Sequence, residues 1–180
     1  MTVALSDAEI DSLQFMREEE KLARDVYAKL EQHGYVFQRI GGAEQRHFDA
    51  VARLLDRFRL PDPAVGAKSG VFRNPSRQAL YAELVARGTR SELDALAVGL
   101  EIEELDIHDL ERARAIVRHP EIAFVYDQLQ RASRNHVRAF HRRLTVLGGS
   151  YAPRHLEPAK FEEIAGSETE RGPGRGHHAN

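Results

Sequence analysis

Cysteine is absent from the 180 residues, and with it go disulfides, thiolate metal sites and thiol nucleophiles. No apolar run approaches the roughly 18 residues that a transmembrane helix needs. The formal net charge of −2 is close to balance and carries no basic excess, which removes the strong electrostatic case for nucleic acid or an anionic membrane. No Gly-rich loop of phosphate- or dinucleotide-binding type occurs, and no Gly-x-Ser-x-Gly turn. Phosphoryl transfer and serine hydrolysis therefore lack their usual machinery. The opening Met1-Thr-Val-Ala-Leu-Ser-Asp turns polar too early for a secretory signal. Nothing reads as a β-strand. A soluble, cytoplasmic, all-α protein is expected.

Long amphipathic helices fill the chain. Ser6-Asp-Ala-Glu9 is a capping box, and the helix it opens meets no breaker until Gly34. At 1.5 Å per residue it is about 40 Å long, which is bundle length. Its inward stripe reads Leu13, Met16, Glu20, Ala23, Tyr27, Leu30. That places Glu20 inside and leaves Glu18 and Glu19 in solvent. A second helix is expected over 43–59, with an earlier start near Phe37 interrupted at Gly41-Gly42, and Pro61-Asp-Pro63 ends it. A long connection over 60–90 carries a short helix from Asn74-Pro75 to Gly88. Ser91 caps a third long helix over 92–118, and His119-Pro120 separates it from a fourth over 121–147. A short segment over 158–164 has helical character. Residues 1–165 form the domain, and 166–180 are expected to be a disordered tail whose His177-His178 could collect metal weakly.

Tight joints between helices one and two and between three and four, with a crossover between two and three, let the middle pair run parallel. That connectivity is the ferritin-like form of a four-helix bundle.

Each long helix carries polar residues where a core residue belongs. Helix two has Glu44 and His47 in the stripe Ile40, Glu44, His47, Val51, Leu54, Phe58. Helix three has Glu103 and Asp106 between Gly99 and Leu110, and helix four has His136 between Leu129 and Phe140. With Glu20 they lie at one level of the bundle. Four clustered carboxylates repel or take up protons. Two divalent cations with two neutral imidazoles would balance them, and the mixed oxygen and nitrogen donors suit iron first, with manganese or zinc as alternatives. Di-metal bundles of this kind take a Glu from each of two helices and Glu-x-x-His from each of the other two. Here Glu44-Gln-Arg-His47 supplies one such motif. Ser133 stands where the second needs a carboxylate, and Asp106 is expected to replace it.

Met16-Arg-Glu-Glu-Glu-Lys-Leu-Ala-Arg-Asp-Val-Tyr27, Glu44-Gln-Arg-His47, Ile102-Glu-Glu-Leu-Asp-Ile-His-Asp-Leu110, Ser133-Arg-Asn-His-Val-Arg-Ala-Phe140 and Gly149-Ser-Tyr-Ala-Pro153 together resemble one uncharacterised family. It is known as domain of unknown function 2202. The resemblance implies a ferritin-like fold and metal binding, and no established reaction.

The expected function is an oxidoreductase of ferroxidase or peroxidase type. Its metal ligands are Glu20, Glu44, His47, Glu103, Asp106 and His136, its substrate is O₂ or peroxide, its electron donor is external, and a homodimer is the assembly considered. The alternatives are a non-catalytic metal-binding or storage bundle, and a metal-free interaction domain whose acids pair with Arg24, Arg114 or Arg138. Asp25, Asp109, Asn135 and Arg138 are candidates to orient the ligands, against a reading as ordinary interhelical bonds. Tyr27 and Tyr126 are candidates for redox-active tyrosines, against a reading as core aromatics.

Overall fold

A computed structural model describes residues 4–172, all of them helix, turn or loop with no strand among them. Helices α1 (Asp7–Leu30), α2 (Tyr35–Arg57), α4 (Glu92–Ile116) and α5 (Pro120–Val146) are the long ones; α3 (Pro75–Gly88) lies in the crossover and α6 (Pro158–Gly166) follows the bundle. The Ser6 hydroxyl accepts from Glu9 N, and the Glu9 carboxylate reaches back to Ser6 N at 3.0 Å. A single 3-10 turn, Glu31–His33, leads to Gly34 at φ +144°, and α2 starts at once. Asn74 caps α3 by accepting from Ser76 and Arg77 N–H groups.

Contacts at the helix ends fix the directions. Glu9, beside the start of α1, accepts from the backbone N–H groups of Arg118 and His119 after the end of α4, at 2.8 and 2.9 Å. Phe58, closing α2, meets the His119 ring edge-on. So α1 and α4 run antiparallel, and α2 runs parallel to α4, as the length of the crossover implies. The α1/α2 and α4/α5 hairpins are intimate, whereas α1 touches α4, and α2 touches α5, more sparsely. Helix α3 packs against both α1 and α4 and so lies across their seam.

Two expectations give way. Helix α2 passes through Gly41-Gly42 without a break. Each glycine weakens a helix by about 1 kcal/mol, but burial of Phe37 and Ile40 in the preceding turns outweighs this. Glu18 and Glu19 are buried, not solvated, because the crossover is fastened to this side of α1. Arg17 bonds Asp62 in a bidentate pair at 2.9–3.1 Å. Glu18 accepts from Arg73 N at 2.7 Å, Glu19 pairs with Arg77, Lys21 donates to Lys68 O at 3.0 Å, and Asp25 accepts from Gly70 N at 2.9 Å. Every ionic side chain from 17 to 25 except Glu20 and Arg24 thus holds the crossover.

The apolar core falls into two clusters. One gathers Tyr27, Phe37, Ile40, Leu96 and Phe140 with α3 and α6. The other gathers Leu13, Met16, Val51, Leu54, Leu110, Tyr126 and Leu129. Between them lies a polar layer. Past α6 the chain stays attached as far as Glu170, whose carboxylate takes Arg134 at 2.6–2.7 Å and Arg138 at 2.8 Å, and whose backbone pairs with Asn135. The described chain therefore continues beyond residue 165, and His177-His178 lie outside the described residues.

Candidate metal centre

The polar layer is built from one turn of each long helix. On α2, Glu44 and His47 are one turn apart on the core-facing side, and His47 Nδ1 lies 2.9 Å from Glu44 Oε2 and 3.5 Å from Glu20 Oε2. On the other side of Glu44, His136 Nδ1 from α5 lies 2.9 Å from Glu44 Oε1 and 3.3 Å from Glu103 Oε2. Two triads result, Glu20–Glu44–His47 and Glu44–Glu103–His136, with the donor atoms of each within 4.8 Å of one another. Glu44 belongs to both. The two imidazole rings lie nearly parallel with centroids 5.7 Å apart.

Several of these close approaches are not hydrogen bonds. Both oxygens of Glu20 and Oε1 of Glu44 are buried and make none, although an imidazole nitrogen stands beside Glu20 Oε2 and another beside Glu44 Oε1. A buried carboxylate oxygen without a donor costs several kcal/mol. Donors bound at about 2.1 Å to one ion at right angles lie about 3 Å apart, which is the spacing seen. The donor set fits divalent metal.

Without a cation the charges distort one another. Burial pushes the Glu20 carboxyl up to about 8 against the pull of His47. Burial also works against ionised Glu44, but the two imidazoles outweigh it and hold that carboxyl far below the usual range. Burial opposes protonation of His47 and His136, yet their carboxylate neighbours push them up to about 11 and about 10. Asp106 is raised by burial and then by the charges of Glu20, Glu19, Glu103 and Glu44.

Asp106 stands outside both triads. Ser133 Oγ donates to its Oδ2 at 3.1 Å, and Oδ1 is buried without a partner. The serine found in place of a second motif carboxylate thus holds the residue suggested as its substitute. Tyr27, fully buried, donates to Glu103 Oε1 at 2.6 Å, so its placement one heptad from Glu20 brings it to a site carboxylate. Tyr126 bonds Ser12 at 3.0 Å instead.

The residues proposed to orient the ligands do not touch them. Asp25 takes Lys21 and Arg24, Asp109 takes Arg77 and His108, and Asn135 and Arg138 hold Glu170. These bonds run within α1 and α4, between α3 and α4, and from α5 to the segment after α6, and they are structural. Nor do the three arginines considered for it neutralise the layer: Arg24 pairs with Asp25, Arg114 with Asp127 and Arg138 with Glu170. One sequence signal was missed, an A-x-x-x-H-x-x-A pattern that occurs at 43–50 on α2 and again at 132–139 on α5.

No helix is long and apolar enough to cross a membrane among the described residues. A family model described as an uncharacterized protein domain, DUF2202, matches residues 9–168. Uncharacterized protein MJ0754 of Methanocaldococcus jannaschii is 46% identical over 173 residues, spanning 95% of this chain and 94% of its own length. A crystal structure of hypothetical protein MJ0754 from Methanococcus jannaschii superposes with a TM-score of 0.89 at 46% identity, covering 92% of this chain and 96% of that one.

Proposed function

The chain belongs to the uncharacterized domain family DUF2202, and from the chemistry of its polar layer we propose a ferritin-like oxidoreductase with a dinuclear carboxylate and histidine centre. The observation that carries this is Glu44, shared between two triads that each add one carboxylate and one imidazole. Two divalent ions match the charge of Glu20, Glu44, Glu103 and Asp106 when both histidines are neutral. Iron is the first candidate, and manganese and zinc accept the same donors. A bound iron pair would supply one electron per ion to O₂ or peroxide, with reducing equivalents from Fe(II) itself or from an external donor.

The chain's own residues have separable parts in this. Glu20 and His47 would hold one ion, Glu103 and His136 the other, and Glu44 would lie between them. Tyr27 fixes the orientation of Glu103 through its hydroxyl. Ser133 holds Asp106 by one oxygen and leaves the other free to accept a proton or a ligand bond. The two apolar clusters keep bulk water from the layer on both sides.

Complete burial of Glu20, Glu44 and Glu103 favours a second reading, a bundle that stores metal or is stabilised by it without turnover. Elemental analysis of the wild type and of Glu44→Ala/His47→Ala, made in one medium, tests the centre. About two equivalents of metal, lost in the double variant, is the expected result. A wild type that takes up no Fe(II), Mn(II) or Zn(II) under anaerobic loading overturns it. Consumption of O₂ or peroxide by the Fe(II)-loaded protein then separates oxidoreductase from store.

A further inference from the structure

The carboxylates are sealed on most sides. The two apolar clusters close the layer from either end of the bundle, and α3 with its Glu19–Arg77 pair covers the α1/α4 seam at Glu19, leaving it open toward the start of α1. Glu44 and Glu103 have side-chain exposures of 1%, but His47 and His136 keep 15% and 12%. Both histidines stand at the α2/α5 seam, where no helix is packed across in the way α3 is packed across α1/α4 among the described residues.

The repeated A-x-x-x-H-x-x-A segments meet at this seam. Residues four before and three after a helical histidine share its face. Ala43 and Ala50 therefore flank His47 as Ala132 and Ala139 flank His136, and all four alanines are half-buried. Beneath them lies Glu44, fully buried, with Oε1 2.9 Å from His136 Nδ1 and making no hydrogen bond. The small residues thus lead to a buried carboxylate oxygen that makes no hydrogen bond.

We propose that metal ions and small reactants reach the centre across the α2/α5 seam, and that Ala43, Ala50, Ala132 and Ala139 set the size of what passes. The seam is a specificity device for diatomic or similarly small molecules and single hydrated ions. It works by the small side chains that surround the two imidazoles. The proposal rests on the dinuclear reading above.

Stopped-flow uptake of Co(II), followed by its visible absorption, tests the route without turnover. Ala50→Leu/Ala139→Leu fills the seam one turn from each histidine. Its uptake is expected to slow at least tenfold, with the same final stoichiometry and spectrum as wild type. Ala113→Leu, buried on α4 at the floor of the groove between α1 and α4, is the control for added bulk away from the seam and is expected to load at the wild-type rate. Should the double variant fail to fold, Ala132→Val alone is expected to slow uptake by a smaller factor. An unchanged rate in a folded seam variant overturns the route while leaving the centre standing, and so does equal slowing in Ala113→Leu. A wild type that binds no Co(II) sinks the dinuclear reading itself.

Discussion

Tyr27 and Glu103 meet where neither has access to water, at 0% exposure each. Tyr27→Phe keeps the ring, with its tilted contacts to Phe37 and Phe140, and deletes only the donor. A buried acceptor stripped of its partner costs about 1–3 kcal/mol. The variant should therefore be less stable by that amount and unfold at a lower urea concentration, and an unchanged midpoint would mean that the bond does not form in solution. At this scale much could be read beforehand. Glu20, Glu44, His47, Glu103 and His136 sit in stripes otherwise made of core residues, so their polarity marks them. The hydroxyl of Tyr27 carries no such mark, because an apolar ring in a core stripe is what the pattern already asks for. Ser133 looked like a missing ligand; its bond to Asp106 depends on how α4 faces α5, which helix period alone leaves open.

The helices are joined by side chains whose ionisation can be followed. Burial disfavours charged Glu9, yet the N–H groups of Ser6, Arg118 and His119 outweigh this and hold its carboxyl down at about 2. A carboxyl lower in the folded than in the unfolded chain contributes stability above the unfolded value, near 4.5, and loses it as pH falls toward 2. Glu9→Gln should accordingly be less stable than wild type at pH 7, and the gap should close between pH 4.5 and 2 in denaturant titrations. On the opposite flank of α1, Lys21 and Asp25 are paired at 1% and 2% exposure. Asp25→Ala leaves the ammonium buried alone and should cost about 3–5 kcal/mol, with faster proteolysis in the crossover. Lys21→Met/Asp25→Ala should recover part of that loss; a double variant as unstable as the single would show the ion pair to be incidental. The capping box, the Asn74 cap and the breaks at Pro61-Asp-Pro63 and His119-Pro120 were local signals and placed the helices. The fastening of residues 17–25 was hidden, because a run of charges reads as a solvated face until the crossover is known to lie on it.

Across the whole molecule, the layer of acids exacts a cost from the metal-free fold. Glu20→Leu/Asp106→Leu removes two buried carboxyls that burial and mutual repulsion destabilise. Apolar replacement of such groups is often neutral or stabilising by 1–4 kcal/mol. Without metal, the double variant should melt at or above metal-free wild type, and it should take up less metal on loading; a fall in its metal-free melting temperature would show that the layer supports the fold without ions. The parallel α2 and α4 were readable from loop lengths, whereas the hold of Arg134, Arg138 and Asn135 on Glu170 was not, since a Gly-rich tail gives no hint of where it docks. One consequence of the divided core concerns cooperativity. Each apolar cluster draws on all four long helices, and the acids between them transmit little favourable energy when no cation is bound. The two ends of the bundle are then separate units of opening in the sense of local unfolding. In the metal-free protein, hydrogen exchange should divide the amides of α1 and α4 into two groups at Glu20 and Asp106. On the proposed dinuclear reading, two ions spanning Glu44 would rivet the groups into one, and metal would then alter how many pieces the protein comes apart in as well as how firmly it holds.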